Sequence, residues 1–251
     1  MERMASSVSY EHRPALRNPV FIEGLPGVGN IGKLAADLMS EQLGAVRFAC
    51  IYSDDLPPQV ILDEDCIGDA ARCELWYADI SDRDVVFLLG DFQGTTPAGQ
   101  YNLSEYIFRL ILPYDPSMIL TLGGYGTGQL TTAPRVLGAV THPEMKPALE
   151  SAGVGFYPGE PQGGIVGAAA MFLAFGRMYG IDSACIMGET SGYIVDYRSA
   201  RNVVNAVCAL LGISVDTSSF QEQIDGIEAA SEAIAEKAQA AEDPEDLIYI
   251  R

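Results

Sequence analysis

Histidine is scarce in this 251-residue chain, present only as His12 and His142. A histidine-based metal site or a Ser-His-Asp triad would have to rest on one of these two, which lie far apart in sequence. Cysteines 50, 66, 73, 185 and 208 are odd in number, irregularly spaced and without a C-x-x-C pair, so most read as buried free thiols. Positive charge is also short, with 15 Lys and Arg against 34 Asp and Glu and a formal net charge of −19. That balance repels phosphate backbones and anionic membrane surfaces, so neither nucleic acid nor a membrane is an expected partner. The uncharged, largely apolar run 161–176 falls short of the roughly 18 apolar residues of a membrane span and reads as a buried helix. Residues 1–17 carry charges and no apolar h-region, which points to a cytoplasmic protein.

What the chain has in quantity is apolar sequence, 48% of residues, and 26 glycines. Its length and hydrophobic content suffice for a substantial core. The run Val20 to Ile22 enters the glycine-rich stretch Gly24-Leu25-Pro26-Gly27-Val28-Gly29-Asn30-Ile31-Gly32, and helical spacing follows from Lys33. The pattern is strand, tight turn, helix. Gly27-x-Gly29-x-x-Gly32 fits the dinucleotide fingerprint, with Asp54 about 20 residues on as its acidic partner. Gly27 to Lys33 fits most of a P-loop as well, but Leu34 stands where a Ser or Thr must hold magnesium. A glycine-rich corner used for tight packing is the structural alternative to both, and no cofactor is expected.

Further along, runs at 46–52, 84–90, 117–122 and 182–190 predict strands, and 98–112, 165–179 and 197–211 predict helices. Short strands at 59–62 and 73–77 suggest a hairpin-like excursion. This alternation predicts an α/β fold, a three-layer sandwich with a mostly parallel central sheet. Residues 1–17 form an arm or edge segment, 18–212 the core domain, and 213–251 an amphipathic helix, an acidic linker and an apolar tail. In the helix, Phe220, Ile224, Ile227 and Ile234 recur at helical spacing. Polar groups at the carboxyl ends of strands are site candidates in open α/β sheets, which singles out Asp91, Gln93 and Glu189. Tyr125, in Gly123-Gly124-Tyr125-Gly126-Thr127-Gly128, is a candidate contact residue. Together with Gly27, Gly29, Gly32, Lys33 and Asp54 these form the candidate ligand-binding set. No catalytic or metal-ligating constellation is identified.

The turn Glu23-Gly24-Leu25-Pro26-Gly27-Val28-Gly29-Asn30-Ile31-Gly32, the strand end Gly90-Asp91-Phe92-Gln93, the loop Gly123-Gly124-Tyr125 and the segment Glu189-Thr190-Ser191-Gly192-Tyr193 together resemble the proteasome assembly chaperone 2 family, in particular its archaeal branch. The resemblance covers roughly 18–212 and the tail. It implies a fold similar to nucleoside phosphorylases and peptidyl hydrolases, and a non-enzymatic, homo-oligomeric chaperone that binds proteasome α-subunits. The family has sometimes been labelled ATP-grasp, a label these residues do not support. The resemblance further implies docking through a C-terminal hydrophobic-tyrosine-X motif, which makes Leu247, Ile248, Tyr249, Ile250 and Arg251 the candidate partner-binding residues. Here Tyr249 is third from the end, and Ile250 stands at the motif's tyrosine position. The competing function is a nucleotide-binding protein or enzyme using the turn at Gly24–Gly32.

Overall fold

The structure, a computed structural model, describes residues 6–227 and 229. Its centre is built from strands whose sequences are apolar on both faces. β2 (Val20–Glu23) and β7 (Asp84–Gly90) are buried almost throughout, as expected of strands covered on both sides. β8 (Met118–Gly126) and β10 (Ser183–Thr190) complete the parallel centre, in the order β7-β2-β8-β10.

The flanks are antiparallel, so the sheet as a whole is mixed where the alternating pattern predicts a mostly parallel one. β1 (Ser6–Tyr10), β3 (Val46–Ser53) and β6 (Cys73–Asp79) extend the sheet beyond β7, and β9 (Val136–Val140) closes the other edge against β10. The cause lies in the connections. β6 and β7 are joined by a tight turn in which Ile80 N–H donates to the Arg83 carbonyl at 3.0 Å, and so short a link permits only antiparallel pairing. The predicted excursion also differs in its pairing. β4 (Val60–Leu62) pairs with β5 (Gly68–Ala70) as a separate ribbon, whereas residues 73–79 join the main sheet.

The helices form where the apolar stripes and caps call for them. α1 (Ile31–Gln42) buries Ile31, Ala35, Leu38 and Met39, one face of a helix. α2 (Pro97–Ile111) starts at Thr96, whose side chain accepts from Gly99 N–H at 2.9 Å, with proline at its first position. α3 (Lys146–Ser151) is short. α4 (Ala168–Tyr179) and α5 (Tyr197–Leu211) each end on a left-handed glycine, Gly180 and Gly212. α1 packs with α5, and α2 with α4. The aromatic centre joins β2 to the second pair: Phe21 meets Phe172 at 5.1 Å and Phe108 meets Phe175 at 5.2 Å between ring centroids.

The chain divides into two compact units, the second beginning at Asp216. In that second unit residues 218–227 are helical, and Ser218 N–H donates to Asp216 Oδ1 at 2.9 Å. Ile234 and the tail residues Leu247, Ile248, Tyr249, Ile250 and Arg251 lie outside the described residues. No helix among the described residues is long and apolar enough to cross a membrane.

Candidate functional site: a cleft at the carboxyl end of the central strands

The glycine-rich turn after β2 owes much of its composition to close packing. A Cβ on Gly32 would lie 2.2 Å from the Leu122 carbonyl oxygen, and one on Gly124 would lie 2.2 Å from that of Val28. The first turn of α1 and the backbone of β8 are therefore in direct contact. Gly29 has φ +65°, a left-handed conformation that disfavours a side chain. Gly27 alone of the three fingerprint glycines has no atom within 4 Å of a Cβ built on it, and it faces a cleft.

That cleft, about 550 Å³, lies at the carboxyl ends of β2, β8 and β10. Gly27, Gln93 and Tyr125 line it. Gln93 fixes one wall: its Nε2 donates to the Pro26 carbonyl at 2.5 Å, and its Oε1 accepts from Ala168 N–H at 2.9 Å. One side chain thus ties the turn after β2 to the start of α4, satisfying an otherwise open helix donor.

The other candidates are elsewhere. Lys33 Nζ reaches Asp37 at 3.0 Å, Asp91 at 3.1 Å and the Gly90 carbonyl at 3.3 Å. Burial lowers its pKa, but the two carboxylates outweigh that and hold it above the usual lysine value. Lys33 and Asp91 belong to a separate, charged hollow that also holds Arg72 and Glu74. Glu189 is bound by Arg135, with Nη2 to Oε1 at 2.7 Å, which holds its carboxyl below the usual range. Asp54 lines a third hollow, beside Pro57 and Pro58. It follows β3, which is separated from β2 by β6 and β7. In a dinucleotide fold the acidic strand end adjoins the glycine turn, and here that adjacency is missing.

Sequence patterns did not single out the buried polar row beneath the cleft, whose outer members Glu23 and Cys185 line it. Glu23, Thr121 and Cys185 are register partners on three neighbouring parallel strands. Glu23 is 1% exposed and the other two are fully buried. Leu25 N–H donates to Glu23 Oε1 at 3.0 Å, Glu23 Oε2 has no hydrogen-bond partner among the described residues, and the Thr121 hydroxyl interacts with the Cys185 thiol. Burial pushes the Glu23 carboxyl up to about 8, partly countered by the Leu25 bond, and burial pushes the Cys185 thiol up to about 12. The available signal was a glutamate ending an otherwise apolar strand. His142 is remote from the row: it bonds Asp182, just before β10, at the opposite end of that strand. Among the described residues no group of three or more His, Cys, Asp or Glu converges to hold a metal ion.

The PAC2 family model matches residues 21–235. The uncharacterized protein MJ1210 of Methanocaldococcus jannaschii is 35% identical over 243 residues, covering 94% of this chain and 93% of its own. Among solved structures, Pyrococcus furiosus PbaB, described as an archaeal proteasome activator, superposes with a TM-score of 0.86 at 32% identity, over 93% of this chain and all of that one. Pyrococcus furiosus PbaA, described as an archaeal homolog of proteasome-assembly chaperone, gives 0.76 at 24% identity over 97% and 99%. The latter likeness is one of fold.

Proposed function

The chain belongs to the PAC2 family, and from that membership we propose that it is a non-enzymatic, chaperone-like protein of the proteasome that binds proteasome α-subunits. The observation that carries the reading is the likeness to PbaB, which extends over nearly the whole chain at 32% identity. In this reading the protein is cytoplasmic and homo-oligomeric, its two helix pairs are the outer layers of a three-layer, phosphorylase-like sandwich, and residues Leu247–Arg251 dock on the partner. Exposed apolar side chains support a role in association. Val28, Tyr193, Ile194 and Val195 are all at least 41% exposed, and exposed apolar groups in number mark interaction surfaces.

The described activity of PbaB favours a second outcome of the same binding event, activation of the assembled proteasome. Both are tested together. The purified chain is mixed with α-subunits and, separately, with assembled proteasome from the same source. Co-elution with free α-subunits supports the chaperone reading, and increased peptide hydrolysis by the assembled particle supports activation. Absence of binding to either form rejects the proposal. The nucleotide-binding alternative has less support, since Gly32 packs on β8 and Lys33 is engaged by Asp37 and Asp91.

A further inference from the structure

A buried carboxyl oxygen at the floor of an open cleft asks what it serves. Unpaired, such an oxygen carries an uncompensated desolvation cost. The Glu23 side chain does so, beside the buried Thr121. Gly123, two residues beyond Thr121 on the same face of β8, leaves the approach bare: a Cβ there would find only Met187 Cγ, at 4.0 Å. The volume, about 550 Å³, falls within the range of roughly 300–1,000 Å³ typical of small-molecule sites.

The lining decides the class of ligand. It contains no lysine, arginine or histidine; its titratable side chains are Glu23, Cys185 and Tyr125. An anion would meet a buried acid with nothing to neutralise it. Leu25, Ile165 and Met187 supply apolar walls, and the Tyr125 ring adds a face suited to a cation. The chain's net charge of −19 raises the local concentration of cations. We propose that this cleft is a binding site for a small organic cation, a primary ammonium on a short apolar stem, held by the Glu23 carboxylate. The inference stands apart from the reading of α-subunit binding.

Binding entails a proton balance. With its pKa near 8, Glu23 is mostly protonated at neutral pH; as the ammonium enters, the carboxyl proton passes to solvent and the charges pair. The titratable neighbours facing Glu23 are the Cys73 thiol of β6 and the Cys185 thiol of β10, both pushed up to about 12 by burial, and they stay neutral through this range. Affinity should therefore rise roughly 25-fold between pH 6.5 and 8.5.

The test is calorimetry on the full chain with n-butylamine, its uncharged isostere butan-1-ol, and butyrate. Expected are saturable n-butylamine binding at least tenfold tighter than butan-1-ol, no butyrate binding, and proton release revealed by repeating the titration in buffers of different ionisation enthalpy. Glu23→Gln, which keeps an oxygen for Leu25 N–H, should remove amine binding. Should that variant fail to fold, Gly123→Val supplies the second arm: it fills the cleft, leaves Glu23 in place, and should also remove binding. The proposal is overturned if n-butylamine does not bind, if butan-1-ol binds as well as the amine, or if either folded variant binds the amine like the parent.

Discussion

Glu23 on β2 and Thr121 on β8 stand opposite each other in register, and Glu23 buries a carboxyl oxygen that has no hydrogen-bond partner among the described residues. At the centre of a sheet this pairing costs stability, and its cost depends on the charge of the carboxyl.

The first prediction concerns that dependence. Glu23 has an ordinary value of 4.5 and is held near 8 when folded, so between these limits the folded state binds the proton and the unfolded state does not. Stability is then highest below about pH 4.5 as far as this group is concerned, falls by at most roughly 1.4 kcal/mol per pH unit as pH rises, and levels off above about 8. Denaturant melts of the parent and Glu23→Gln from pH 5 to 8.5 should show the slope in the parent and a flatter line in the variant. Parallel lines would place the carboxyl's pKa elsewhere.

A second prediction separates packing from ligand contact in the glycine turn. Gly32→Val drives a side chain into the Leu122 carbonyl and should cost at least ~1–3 kcal/mol, the range for overpacking. Gly27→Ala meets nothing within 4 Å on an extended backbone (φ −149°) and should stay within about 0.5 kcal/mol of the parent. Thermal melts decide it, and equal losses at the two sites would contradict the contact geometry.

Nucleotides provide a third. Calorimetry with ATP and with NAD should show no appreciable binding, because the Lys33 ammonium is engaged by Asp37, Asp91 and the Gly90 carbonyl, and Leu34 cannot hold magnesium. Micromolar binding lost in Lys33→Ala would reverse the ranking of functions.

The fourth lies in the tail. In our reading of α-subunit binding, Tyr249→Ala weakens the complex by ~1–3 kcal/mol, as expected of a buried interface anchor. Deletion of 247–251 that leaves binding intact and lowers the melting temperature would make the segment structural.

The fold was legible where burial writes a simple pattern. The runs at 84–90 and 182–187 are apolar on both faces, and the helices carry their caps in sequence at Thr96, Asp196 and Gly212. Pairing was less legible, since nothing local in residues 73–79 says whether they return to β3 or to residues 60–62. The candidate ligand set scattered for the same reason. Motif spacing joins Gly27 to Asp54, but strand order puts β6 and β7 between their strands and sends Lys33 and Asp91 to another hollow. Glu23 gave little signal because one buried acid has no periodicity; only the register of β2, β8 and β10 makes it part of a row.

The strand order also sets a timetable for synthesis. β2 leaves the ribosome early, yet one of its two sheet neighbours, β8, begins about a hundred residues later, a wait of roughly 5–20 s at ~5–20 residues per second. Throughout that interval Val20, Phe21 and Ile22 have no mid-sheet partner on that side. The nascent chain therefore carries this apolar strand unpaired on one edge until nearly half of it has been made, which makes this segment a natural target for general chaperones during synthesis.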